Sequence, residues 1–218
     1  MRRKEVLVNG EVYHIFNKSI ADYRVFNNKA EFLRMKNTIR YYQFENVSPK
    51  FSQFLLRTDK EKNSFPLPHN KVRIVQIIAY CLMPTHIHLV LKQFKDEGIS
   101  LFMGKVLDSY SRFFNLRHKR KGPLWEGKFK NKLVESVEQL LHLTRYIHLN
   151  PTSAGLVNKP EDWLFSSYRE YIGLVDEEEV LCDKEELLDI SPEAYKEFVE
   201  ERITYQRELE KIKSLLLE

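Results

Sequence analysis

With 218 residues, 43% of them hydrophobic and 12% aromatic, the chain has enough apolar side chains for one well-packed domain and an appendage. Its apolar runs fall short of the roughly 20 residues of a membrane span, and the basic opening MRRKEVLVNG leads into no long apolar core, so neither a span nor a secretory signal is expected and a cytoplasmic protein is. The formal charge of +4 divides unevenly: residues 175–218 hold 6 Lys/Arg against 15 Asp/Glu, net −9, and residues 1–174 hold 29 against 16, net +13, which suits a body that meets a polyanion and an acidic tail that does not.

EVYHIFNKS (11–19) alternates as a strand does. NKAEFLRMKNTIRYYQF (28–44) places Phe32, Met35, Ile39 and Tyr42 at helical spacing, one face of a helix. Residues 46–70, with three prolines and polar clusters, read as a long loop or insertion. VRIVQIIAYCLM (72–83) is β-branched and reads as a strand, Pro84-Thr85 as a turn, and HIHLVLKQ (86–93) as the returning strand of a hairpin. SLFMGKVLDSYSRFFNLRHKR (100–120) is an amphipathic helix, GKFKNKLVES (127–136) a fourth strand, and VEQLLHLTRYIHLN (137–150) a helix that Pro151 should end. The order β-α-β-β-α-β predicts an α+β fold of the split, ferredoxin-like kind. One domain is expected over 1–174, followed by an acidic helical extension over 175–218 opened by a Ser-Pro-Glu cap. Cys81 and Cys182 are far apart and suit a reducing compartment and core packing.

Three places carry chemistry. On a strand, i and i+2 share a face, so His86 and His88 look out together with Val90 while Ile87, Leu89 and Leu91 face the core. Side-by-side imidazoles can hold a divalent metal, although a structural pair reads equally well from that strand alone. In HLTRYIHLNP, Tyr146 and Asn150 are four apart and share a helix face. If the Asn150 amide joins the metal, Tyr146 stands beside a phosphate bound there; taken singly, the two also read as a half-buried aromatic and a residue before proline. In YSRFFNLRHKRKGPLWEGKFKNK (110–132), Arg112, Arg117, Lys119, Arg120, Lys121, Lys128, Lys130 and Lys132 are interleaved with Phe113, Phe114, Trp125 and Phe129. Cations for phosphates and rings for unpaired bases are what single strands need. The bland reading is a solvated helix end, an edge strand guarded by lysines, and aromatics in the core.

CLMPTHIHLVLK, GPLWEGKFK, YIHLNP and W-x-x-SSYREYIG, in this order, resemble the single-tyrosine HUH transposases, specifically the REP-associated tyrosine transposases and their insertion-sequence relatives. The resemblance covers residues 8–173 and excludes the tail. It implies the HUH endonuclease version of the ferredoxin-like fold, to which this chain's own tail adds the extra C-terminal helices. It also implies Mg²⁺- or Mn²⁺-dependent cleavage and strand transfer of single-stranded DNA beside hairpins, through a 5′-phosphotyrosine intermediate, in DNA transposition. Carried over by motif, the nucleophile is Tyr146 and the metal ligands are His86, His88 and Asn150. Arg112, Arg117, Lys119, Arg120, Lys121, Trp125, Lys128 and Lys130 are the expected DNA contacts. Tyr110 is a rival nucleophile with Phe114, not an amide, at i+4. The expected partner is hairpin-bearing single-stranded DNA, with no membrane, for a monomer or homodimer. The competing reading is a catalytically idle nucleic-acid-binding protein on the same scaffold.

Overall fold

The computed structural model describes residues 6–56, 72–184, 187–206 and 208. Strands β1 (Val12–Lys18), β2 (Val75–Met83), β3 (His86–Gln93) and β4 (Lys130–Val134) form one antiparallel sheet in the order β2-β3-β1-β4. Helix α1 (Lys29–Tyr42) joins β1 to β2, with a one-turn helix α2 (Phe51–Phe54) on the way, and α3 (Gly98–Arg117) joins β3 to β4. This is the ferredoxin-like order the pattern predicts. Asn28 caps α1 by accepting a hydrogen bond from the Glu31 N–H, as short polar side chains do at helix starts.

Alternation along the strands makes two cores. Tyr13, Ile15, Ile87, Leu89 and Leu91 point to one side and pack under Phe32, Met35 and Ile39 of α1 and Phe102, Met103 and Val106 of α3. Val12, Cys81, Val90 and Val134 point to the other side. They are covered there by α4 (Val137–Ser153), α5 (Tyr168–Tyr171) and α6 (Pro192–Glu200). Helices on both faces explain why every residue of β2 is buried.

Two differences from the sequence reading have local causes. Helix α4 does not stop before Pro151 but runs through it to Ser153. A proline removes one N–H donor, and so near a helix end this costs a single bond to the Ile147 carbonyl. The stretch 46–56 is not all open loop: Phe51 is fully buried, and its N–H donates to the Tyr42 hydroxyl, 3.1 Å away. Residues 57–70 of that predicted loop lie outside the described residues. The acidic extension folds back on the body. The Arg40 guanidinium donates to the carbonyls of Glu178 and Glu179, and Leu188, Tyr195 and Val199 are buried. Ser191 caps α6 by accepting from the Ala194 N–H, as the Ser-Pro-Glu sequence predicts.

Candidate active site

The β2–β3 hairpin turns at Pro84-Thr85, and the chain after β1 clamps that turn: the Ser19 N–H donates to the Thr85 carbonyl at 2.8 Å and the Val25 N–H to the Pro84 carbonyl at 2.9 Å. The clamp fixes the start of β3, where His86 and His88 emerge on the α4 side of the sheet beside Val90. Their ring centroids are 5.1 Å apart and the planes perpendicular.

Helix α4 is seated over this face by its buried row Leu140, Thr144, Ile147 and His148. His148 acts as a peg. Its Nδ1 is 2.7 Å from the Tyr195 hydroxyl of α6 and its Nε2 2.7 Å from Ser167 Oγ. Ser167 also accepts from the Tyr80 N–H at 2.9 Å, and the Trp163 indole N–H donates to the Leu82 carbonyl at 3.1 Å. The W-x-x-SSYREYIG segment thus ties α4 to the outer edge of β2. Held this way, α4 presents Tyr146, Asn150 and Ser153 to the histidines.

His86, His88, Tyr146 and Asn150 line one cavity of about 650 Å³, together with His14, Phe16, Lys18 and Met83. Tyr146 is 37% exposed, its ring 6.2 Å from that of His88 and edge-on to it. The rival Tyr110 is fully buried and its hydroxyl donates to the Val25 carbonyl, so it presents no hydroxyl to a substrate. Burial, and next the charge of Lys18, push the His86 imidazole down to about 4. Burial, and then the neighbouring His14, His86 and Lys18, hold His88 well below its ordinary value. Both rings are therefore neutral at physiological pH, the form that ligates metals. Among the described residues no three His, Cys, Asp or Glu side chains form a metal cluster. The donor set here is two imidazoles and an amide. The Asn150 Nδ2 is buried without a hydrogen-bond partner; an amide turned by half a rotation puts its oxygen there, so the residues fit a divalent cation.

A second cavity of about 210 Å³ shares Phe16, Asn17 and Lys18 with the first and is lined further by Glu126, Gly127, Lys128 and Lys130. Of the expected DNA contacts, Lys128 and Lys130 stand beside the histidine cavity. Arg112 pairs with Asp108 on α3 at 3.0 Å, and Arg117 lies 3.4 Å from Glu31. Arg120 donates to the Pro123 carbonyl at 2.8 Å and to Asn115 Oδ1 at 3.2 Å, building its own loop. Lys119 and Lys121 are exposed in that loop. Trp125 is only 8% exposed, with its ring 6.3 Å from that of Tyr110. It packs in the core cluster. Phe114 and Phe129 are likewise buried.

His14 and Lys18 were not singled out in the sequence. Their signal lies in the strand period: residues 14, 16 and 18 share a face, and the β3-β1 pairing of the ferredoxin-like order puts that face beside His88. Burial, and next the charge of Lys132, push the His14 imidazole down to about 4.

Residues 65–150 match the family model described as Transposase IS200 like. A stretch of 103 residues, 43% of this chain, is 26% identical to a candidate REP-associated tyrosine transposase of Haemophilus influenzae. Another of 97 residues, 44% of the chain, is 23% identical to a REP-associated tyrosine transposase of Escherichia coli K12. The matches span 58% and 56% of those relatives' lengths. The fold also resembles a solved REP-associated tyrosine transposase bound to a REP hairpin. That likeness has a TM-score of 0.53 at 15% identity, over 88% of this chain and 96% of the other. The resemblance read from the four sequence motifs is thus met over part of the chain, which is similar there to the IS200-like, REP-associated tyrosine transposases.

Proposed function

We propose that the chain cleaves and rejoins hairpin-bearing single-stranded DNA as a tyrosine transposase, with Tyr146 as nucleophile and His86, His88 and Asn150 holding Mg²⁺ or Mn²⁺. One observation carries the reading: these four side chains, drawn from β3 and α4, line a single cavity. The bound cation would polarise the scissile phosphate as a Lewis acid. The chain's own residues do the rest. Lys18, Lys128 and Lys130 neutralise backbone phosphates entering from the second cavity. Tyr146, part-exposed at the cavity wall, offers its Oη to phosphorus. An Oη–P bond forms as the P–O3′ bond breaks; the phenol loses its proton and the departing 3′ oxygen gains one. The products are a 5′-phosphotyrosine and a free 3′-OH, and attack by another 3′-OH reverses the step. The relatives named as REP-associated tyrosine transposases support the transposase reading.

The test is cleavage of a hairpin-bearing single-stranded oligonucleotide with Mn²⁺, with Mn²⁺ chelated, and with His88→Ala. Cleavage should need both the metal and His88. Binding without any cleavage under all conditions would favour the idle DNA-binding reading.

A further inference from the structure

His14 belongs to no motif, yet it makes the closest side-chain contact to the paired histidines. Its Nε2 is 2.9 Å from His88 Nδ1, and the ring centroids are 5.1 Å apart with the planes 20° from parallel. Phe16, two residues along the same strand face, packs against both rings, 4.9 Å from His14 and 6.1 Å from His88. The contact is fixed by register: β1 pairs with β3 so that His88 sits opposite Phe16 and His14 one step along the diagonal. His86 has a comparable partner at the equivalent atom, because its Nδ1 is 3.0 Å from Thr85 Oγ1 in the clamped turn.

We infer that His14 is a positioning residue for His88: its Nε2 accepts the Nδ1–H of His88, which fixes the tautomer with the Nε2 lone pair free as the ligand atom. A ring can bind a cation only through a nitrogen that carries a lone pair, and Nδ1 is the atom His14 occupies. With Thr85 engaging Nδ1 of His86, both rings would ligate through Nε2. His14 is not itself a third ligand in this arrangement, because its Nε2 is spent on His88. A partner that holds the second ring nitrogen sets ring orientation and raises ligand basicity, and its loss weakens metal binding by roughly 10- to 100-fold.

The tautomer claim stands apart from the transposase reading, and only the affinity claim rests on it. Two measurements on the full chain separate them. In the metal-free protein, long-range ¹H–¹⁵N correlation of the imidazoles should show His88 protonated on Nδ1. His14→Phe, which keeps a ring against Phe16 but removes the acceptor, should move proton population to Nε2. His14→Gln, whose amide oxygen can accept, should restore Nδ1–H. A wild-type His88 protonated on Nε2 overturns the inference without reference to any variant. Titration with Mn²⁺ alone, read by electron paramagnetic resonance, should give a 10- to 100-fold weaker affinity for His14→Phe and near wild-type affinity for His14→Gln. Unchanged affinity in His14→Phe, where His88→Ala abolishes binding, removes the positioning role. Unchanged affinity in His88→Ala removes the metal site itself and leaves the tautomer result to stand alone.

Discussion

Glu31 is completely buried and still carries charge. Burial alone would raise its pKa; the hydrogen bonds from Asn27 and His118 overcome this and hold it below the usual glutamate value. Asn27 N–H donates from 2.8 Å and its side-chain amide from 3.1 Å, His118 Nε2 lies at 2.8 Å and Arg117 at 3.4 Å. This one carboxylate pins the start of α1 to the end of α3, and so sets where the basic loop leaves the body. A depressed folded pKa means that the unfolded chain binds the proton more readily. The contribution is thus complete above the unfolded value, about 4.3, and is lost as pH falls through the lower folded value. Glu31→Gln should cost about 1–3 kcal/mol at pH 7, since buried donors lose their charged acceptor. Its stability should also fall less steeply than wild type below pH 4.5. Urea midpoints between pH 3 and 7 measure both; a variant that tracks the wild type throughout would show that Glu31 is uncharged in the fold.

At the scale of elements, the α3–β4 connection shows what a sequence can and cannot say about a surface. Eight cations interleaved with aromatics read as one DNA-binding stretch. The fold divides it: Phe114, Trp125 and Phe129 go to the core, Arg117 and Arg120 hold the loop together, and Lys128 and Lys130 line the cavity joined to the histidines. Residue types alone cannot make that division, because it depends on which partners the loop meets after folding. Replacing Lys128 and Lys130 with glutamine should leave the fold intact. It should weaken single-strand binding and lower the slope of log K against log salt by about 1.4, at roughly 0.7 per phosphate contact. Fluorescence anisotropy at several salt concentrations reads the slope, and an unchanged slope would place the strand elsewhere. What was legible came from periodicity. His86 and His88 share a face because strands repeat every two residues, and Tyr146 and Asn150 share one because helices repeat about every four. His14 was not legible, since its place beside His88 depends on a pairing between distant strands. The end of α4 was misjudged because a proline near a helix terminus costs little once tertiary packing holds the turn.

Across the whole molecule, the sheet is a plate with two cores, and the proposed chemistry sits on the α4 side. The C-terminal extension supplies part of that side: Tyr195 and Val199 are fully buried, the Tyr195 hydroxyl meets His148, and the Arg145 guanidinium lies 3.9 Å over the Phe198 ring. We therefore place the working unit as the body together with α6. Ending the chain at residue 190 should cost roughly 3–6 kcal/mol, from two buried side chains worth about 1.5–3 kcal/mol each, and chemical denaturation of the truncated chain would show it. A truncation as stable as the full chain would return the extension to an appendage. The central claim is the convergence of β3 and α4 on one phosphate, and it is tested most directly by the covalent intermediate. A hairpin-bearing single strand is incubated with the protein and Mn²⁺, the complex is digested with protease, and the DNA-linked peptide is mapped by mass. The adduct should fall on the peptide that contains Tyr146, and Tyr146→Phe should bind the strand normally and form none. An adduct on any other residue, or cleavage surviving in Tyr146→Phe, would contradict the account.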